Sequence, residues 1–268
     1  MDLNKHVLDF AYLLLSPRIG QKSLKILIKK FVLRDFNLEE SPLSFKENLL
    51  SQNIQVIPYW SERYPQILKE IQDFPPFLFV KGDLSLLEKY AVTIVGTRKI
   101  DSYGFKILED FFAKRAEFPS DICFVSGLAN GVDSEVHRLC LKKNLPTIGV
   151  VAGGMDKKYY RGNSVMYEYL CKYGLVISEF PPGRKYFKGM FPLRNRILAG
   201  LSSKTFVIQA GNRSGALNTA THANNYGRDV FVVPHDIYSE VGGGCLKLIS
   251  DGAGIILDID DFLDKVVK

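Results

Sequence analysis

Residues 91–154 read AVTIVGTRKIDSYGFKILEDFFAKRAEFPSDICFVSGLANGVDSEVHRLCLKKNLPTIGVVAGG, and this stretch decides the fold. Three runs in it, Ala91–Val95, Ile122–Val125 and Pro146–Val151, are apolar at nearly every position rather than at every second one. A strand of that kind is buried on both faces. The segments between them, Tyr103–Glu117 and Asp133–Lys143, carry apolar residues at helical spacing with charges on the other side. Strand and amphipathic helix in alternation give a parallel sheet covered on both sides.

The same alternation continues outward. Leu175–Ser178, Thr205–Gln209, Val230–Val233 and Ile255–Leu257 read as further strands, and Asn163–Tyr173, Leu193–Leu201 and Gly215–Tyr226 as further helices. Upstream, Val56-Ile-Pro58 and Phe77-Leu-Phe-Val80 predict short strands flanking turns at Tyr64-Pro65 and Pro75-Pro76. The first fifty residues read as helical: Leu8–Leu15 is apolar, Ser16-Pro17 breaks it, and Ser23–Phe31 resumes. Leu15–Leu24 partly matches a helix-hairpin-helix turn, with Arg18 standing where the first glycine belongs. The other reading is a small bundle with a solvated basic face of Lys22, Lys25, Lys29 and Lys30. The expected organisation is a small helical domain over residues 1–52, of SAM or helix-hairpin-helix type, and an extended Rossmann-like domain over 53–268. The fold class is therefore α/β, a doubly wound, mostly parallel sheet with a small helical N-terminal domain. Such sheets bind ligands at the carboxyl ends of the strands, where strand order reverses.

The 268 residues carry 35 Lys or Arg against 29 Asp or Glu, a net +6. The excess is local. Phe180 to Arg228 holds eight Lys or Arg and no Asp or Glu, so the rest of the chain is slightly acidic. Within it, Phe191-Pro-Leu-Arg-Asn-Arg-Ile-Leu-Ala-Gly200 sets Arg194 and Arg196 at the start of a helix, where the dipole also favours anions. A concentrated field of this kind suits a polyanion, nucleic acid first.

Each strand end carries small residues: Gly96-Thr97-Arg98, Ser126-Gly127-Leu-Ala-Asn-Gly131, Ala152-Gly153-Gly154 and Ala210-Gly211-Asn-Arg213-Ser214-Gly215. Their main-chain N–H groups could cradle phosphate oxygens. Other chemistries lack their marks. The first strand–helix turn is not GxGxxG, no GxxxxGK[ST] or GxSxG occurs, and neither the four cysteines nor the four histidines have metal-ligand spacing. Ser126, Asp133 and His137 suggest a triad, but Asp133 and His137 lie four residues apart on one helix, a spacing for a local hydrogen bond. No metal, cofactor or catalytic residue is expected, and nothing requires an enzyme. There is no signal-peptide layout or membrane-length apolar run, and the scattered cysteines read as reduced thiols, so a cytoplasmic location is expected.

An ordered series of motifs then identifies the family that the chain resembles. It comprises Tyr64-Pro65 through Pro75-Pro-Phe-Leu-Phe-Val-Lys-Gly82, Ile94-Val-Gly-Thr-Arg98, Ser126-Gly-Leu-Ala-Asn-Gly-Val-Asp133 with His137, and Ser178-Glu-Phe-Pro-Pro-Gly183. Phe191-Pro-Leu-Arg-Asn-Arg-Ile-Leu-Ala-Gly-Leu-Ser202, Ser214-Gly-Ala-Leu-Asn-Thr-Ala220 and Gly227-Arg-Asp-Val-Phe-Val-Val-Pro234 follow. Over nearly its whole length the chain resembles the bacterial DNA-processing protein A family (DprA, also called Smf). The resemblance implies a non-enzymatic single-stranded DNA-binding protein of natural transformation, a homodimer through the Rossmann-like domain, and RecA recombinase as the partner loaded onto the strand. It implies a phosphate pocket of Gly96, Thr97, Arg98, Ser126, Gly127, Arg194, Asn195 and Arg196, completed by Ser214 and Gly215, with Phe191 or Tyr186 offered for base stacking.

The chain departs from the family pattern at Leu193, where many relatives have a basic residue, and at Tyr159-Tyr160, His235 and Cys245. It ends soon after the last strand, so the C-terminal winged-helix domain of many relatives is expected to be absent. The enzyme alternative is a phosphoribohydrolase of the same superfold, but Pro181-Pro182-Gly183 lacks the second glycine and the glutamate of that loop. A nucleotide carrier is the third reading.

Overall fold

A computed structural model describes residues 3–16, 18–32, 41–155, 162–185, 187 and 189–267. Three helices come first, α1 (Val7–Leu13), α2 (Gln21–Val32) and α3 (Leu43–Ser51), followed by β1 (Gln55–Pro58), a single turn α4 (Gln66–Lys69) and β2 (Phe77–Gly82). Regular alternation then sets in with β3 (Tyr90–Val95), α5 (Ser102–Ala113), β4 (Ile122–Gly127), α6 (Val132–Lys142), β5 (Thr147–Val151), α7 (Ser164–Tyr173) and β6 (Leu175–Ser178). It continues through α8 (Met190–Gly200), β7 (Lys204–Val207), α9 (Gly215–Asn225), β8 (Asp229–Val232), α10 (Gly243–Ser250), β9 (Gly254–Ile255) and α11 (Ile259–Val267).

The strands form one nine-stranded sheet in the order β1-β2-β6-β5-β4-β3-β7-β8-β9. The seven strands from β3 onward pair in parallel, and β1 and β2 add an antiparallel margin. From β3 the chain winds one way through β4, β5 and β6, then returns to lay β7 against the other side of β3, with Thr93 opposite Thr205 and Val95 opposite Val207. The β3/β7 seam is thus the switch point of the doubly wound sheet, and its carboxyl end is where a ligand cleft forms.

Burial explains the strand pattern. Every residue of β4, β5 and β6 is buried, as uninterrupted apolar runs require. One face packs Ile197, Leu198 and Leu201, from α8 and its end, with Ala216 and Ala220 of α9; the other packs Phe111 of α5, Val136 of α6 and Phe262 of α11. The helices over residues 1–52 do not keep a core to themselves. Phe10, Leu14, Leu24 and Phe45 close on Phe77 and Phe79 of β2 and on Tyr167 and Leu170 of α7.

Three helices lie where the strand–helix reading anticipated none. Short α4 carries Leu68 into the core. At the start of α10, Gly244 approaches the carbonyls of Ala210 and Gly211 so closely that a Cβ would stand 2.7 Å from each. Glycine here permits close helix packing rather than a turn. In α11, Phe262 stacks on Phe111 at 3.9 Å between ring centroids, so a tertiary contact anchors the helix. Pro17, Tyr159, Tyr160 and Tyr186 lie outside the described residues.

Candidate functional site

The carboxyl ends of β3 and β7 open into a cleft of about 790 Å³. One wall is the loop Gly96-Thr97-Arg98-Lys99; the opposite wall is Gly211 to Gly215, running into α9; Phe191, Arg194 and Asn195 of α8 close the third side. Main-chain bonds fix the first wall. Thr97 N–H donates to the Gln209 carbonyl at 2.7 Å, and Val132 N–H at the start of α6 donates to the Thr97 carbonyl at 3.1 Å. Gly131, between them, has φ +81, and a Cβ there would strike the Thr97 carbonyl, so only glycine fits. The second wall is capped: the Ser214 hydroxyl accepts the Ala216 N–H at 3.3 Å, and α9 points its positive end toward the opening. Asn195 ties the third side to the second, donating to the Gly215 carbonyl at 3.2 Å and to Asn218 Oδ1 at 3.1 Å.

The cations at the mouth differ from those beneath it. Arg98, Lys99 and Arg213 are exposed, and among the described residues none of them has a carboxylate at ion-pair distance. Arg98 holds its guanidinium 5.1 Å from the centre of the half-buried Phe191 ring. A cation over an aromatic ring needs no carboxylate there, so the charge stays available to an anion. Among the described residues, Glu240, from the loop before α10, is the one exposed acid lining the mouth.

Beneath lies a buried polar layer. Arg194 donates to the Val150 carbonyl at 2.8 Å and faces Asp133. Burial pushes the Asp133 carboxyl above the usual carboxylate range, while Arg194 and the N–H groups of Ala129 and Gly96 pull it down. His137 Nε2 donates to the Gly127 carbonyl at 2.8 Å and Nδ1 meets the Thr147 hydroxyl at 2.8 Å. Burial pushes this imidazole down to about 4, so the ring is neutral at pH 7. Both ring nitrogens are engaged away from Asp133, and the expected Asp133–His137 bond does not form.

Eight of the sequence-derived residues come together at the cleft: Gly96, Thr97, Arg98, Phe191, Arg194, Asn195, Ser214 and Gly215. Three do not line it. Ser126 is fully buried and donates to the Ile94 carbonyl at 2.7 Å. Gly127 supports the floor instead, since a Cβ would collide with the Arg194 guanidinium and the Asp133 carboxylate. Arg196 projects from the opposite side of α8, where it donates to Glu179 Oε2 and to the Asp73 carbonyl, each at 2.6 Å. The spacing on α8 explains this, because residues two apart lie on different faces of a helix. Leu193 packs with Ala152, Phe180 and Met190 in a small apolar cluster. Lys99, Arg213 and Glu240 also line the cleft: Arg213 lies inside a strand-end loop and Lys99 directly follows one, whereas the sequence offers no signal for Glu240.

A family model described as DNA recombination-mediator protein A matches residues 55–267. The chain belongs to that family. Among members of the DNA recombination-mediator protein A family, the DNA processing protein DprA of Bacillus subtilis is 39% identical over 221 residues, which cover 80% of this chain and 72% of the relative. The X-ray structure of DNA processing protein A from Streptococcus pneumoniae superposes with a TM-score of 0.80 at 32% identity, over 96% of this chain and 97% of that one. A Helicobacter pylori structure, solved to describe that protein's single-stranded DNA binding mode, superposes with a TM-score of 0.70 at 28% identity, over 80% and 95%. Among the described residues no helix is long and apolar enough to cross a membrane.

Proposed function

We propose that the β3/β7 cleft binds the phosphate backbone of single-stranded DNA without sequence preference, and that the protein acts in recombination as a strand-binding factor rather than a catalyst. Arg98 carries the reading: an exposed guanidinium with no carboxylate at ion-pair distance among the described residues, beside an aromatic ring, at the mouth of a cleft lined by glycine-containing loops and a helix N-terminus. An Arg fork and main-chain donors suit phosphate oxygens, and the Phe191 ring suits any base. The Helicobacter pylori relative's single-stranded DNA binding agrees with this chemistry. The same reading makes RecA recombinase the protein that receives the strand, a homodimer through the Rossmann-like domain the working unit, and the cytoplasm its location.

Fluorescence anisotropy with labelled oligo(dT) and a matched duplex, at two salt concentrations, tests it. The expected result is tighter binding of the single strand and affinity that falls steeply with salt. Parent-like affinity of Arg98→Ala for oligo(dT) would overturn the site assignment.

A further inference from the structure

A second strongly basic stretch lies in the N-terminal helices. From Leu3 to Val32 the chain has six Lys or Arg and one acid, Asp9, with acids returning only at Asp35, Glu39 and Glu40. Asp9 is buried and occupied: its carboxylate accepts the Ser41 N–H at 2.7 Å and meets His6 Nδ1 at 3.1 Å. Leu24 and Ile28 turn one face of α2 inward. The opposite face therefore presents Lys22, Ile26, Lys29 and Lys30, all exposed.

The turn that precedes α2 is tied to the segment leading into the cleft. The buried Arg184 guanidinium donates to the carbonyls of Leu14 and Ser16, at the turn between α1 and α2, and Gly183 lies beside Leu15. From Arg184 the loop continues through exposed Lys185 to exposed Phe187, whose ring packs edge-on against Phe180 at 5.9 Å. Phe180 in turn shares an apolar cluster with Phe191, the ring beneath Arg98. Contacts between described residues thus lead from Arg98 through Phe191, Phe180 and Arg184 to the turn that precedes α2, along a segment whose sequence contains no acid between Phe180 and Arg228.

We infer that a single strand held in the cleft continues past Lys185 and Phe187 onto the exposed face of α2, where Lys22, Lys29 and Lys30 take further phosphates. The inference rests on the cleft being the primary site. Charge complementarity and continuity with the cleft select this occupant. The small helical region over residues 1–52 is then an extension of the DNA track.

The test compares K22Q/K29Q/K30Q with the parent on two oligo(dT) lengths, one of about six nucleotides, within the reach of a single cleft, and one of about thirty. The expected result is unchanged binding of the short oligonucleotide and about tenfold weaker binding of the long one. The log–log salt slope for the long one should drop by about two, from roughly 0.7 per lost phosphate contact. K22R/K29R/K30R should restore parent behaviour, and an unchanged thermal midpoint shows that the fold survives. Parent-like long-strand affinity and salt slope in the Gln variant would overturn the inference while leaving the cleft intact. So would a loss confined to duplex DNA, or equal losses at both lengths. Arg98→Ala is the separate control: it should weaken both lengths, and if it weakens neither, the cleft reading falls and the track falls with it.

Discussion

The mouth of the cleft and the layer beneath it contain the same residue types in opposite circumstances. Among the described residues Arg98, Lys99 and Arg213 stand in solvent with no carboxylate at ion-pair distance, whereas Arg196 is buried and paired with Glu179 and Arg194 is buried beside Asp133. A buried charge must be compensated on folding, so its partner is built in. An exposed charge carries little folding cost and can wait for a ligand. The difference separates two roles that a basic motif alone merges: the layer positions the loops, and the mouth meets the phosphates.

The largest effect should therefore come from the arginine farthest from the ligand. Arg196→Ala leaves the 2% exposed Glu179 without its 2.6 Å ion pair, and removing one member of a buried pair costs about 3–5 kcal/mol. Chemical denaturation should show that loss. Replacing both residues, as Arg196→Met with Glu179→Leu, should recover much of it, since an apolar pair removes the uncompensated charge. A stable Arg196→Ala protein that has lost DNA binding would break the comparison, because Arg196 would then be a ligand contact.

His137 sharpens the comparison next. Its folded pKa lies near 4, below the ordinary 6.5, so the neutral ring is favoured on folding. The stabilisation is complete above pH 6.5 and is lost as pH falls toward 4, by at most about 3 kcal/mol. Urea midpoints at pH 7 and pH 4.5 should diverge more for the parent than for His137→Gln. If the two proteins show the same divergence, the imidazole is not the acid-sensitive group.

Sequence periodicity carried the fold well, since the parallel core strands are buried on both faces and continuous apolar runs have few other uses. It carried the cleft less evenly. Gly96, Arg98 and Ser214 follow from strand ends, which the alternation locates. Arg196 was misplaced because a one-dimensional motif cannot say which face of α8 each arginine takes; Glu179, directly after β6, decides that only once the sheet order is known. Gly127 was assigned to phosphate for a similar reason. Its missing Cβ makes room for both the Arg194 guanidinium and the Asp133 carboxylate, which come from segments more than sixty positions apart. Helices α10 and α11 escaped because their anchors, the Ala210 carbonyl and the Phe111 ring, are tertiary.

At the mouth, Arg98→Ala should weaken oligo(dT) binding about tenfold or more, the scale of a lost charge-assisted contact, and leave stability within about 0.5 kcal/mol. Anisotropy and thermal melting together check both halves. A large stability loss would move Arg98 from the mouth to the layer.

Phe191 sits on the boundary between the two regions, so its substitution gives the smallest and most discriminating effect. Its ring is half-buried, packs toward Phe180 and Met190, and also lies under Arg98. Phe191→Ala removes packing and stacking together and so separates nothing. Phe191→Leu keeps most of the apolar volume but loses the π face that a base or guanidinium needs. If the ring serves the mouth, Phe191→Leu should melt close to the parent yet bind oligo(dT) about fivefold more weakly, while Phe191→Tyr binds normally. If the ring serves the layer, Phe191→Leu should bind normally and the loss should appear only in the melting curve, because a packing residue acts through volume and a stacking residue through its face.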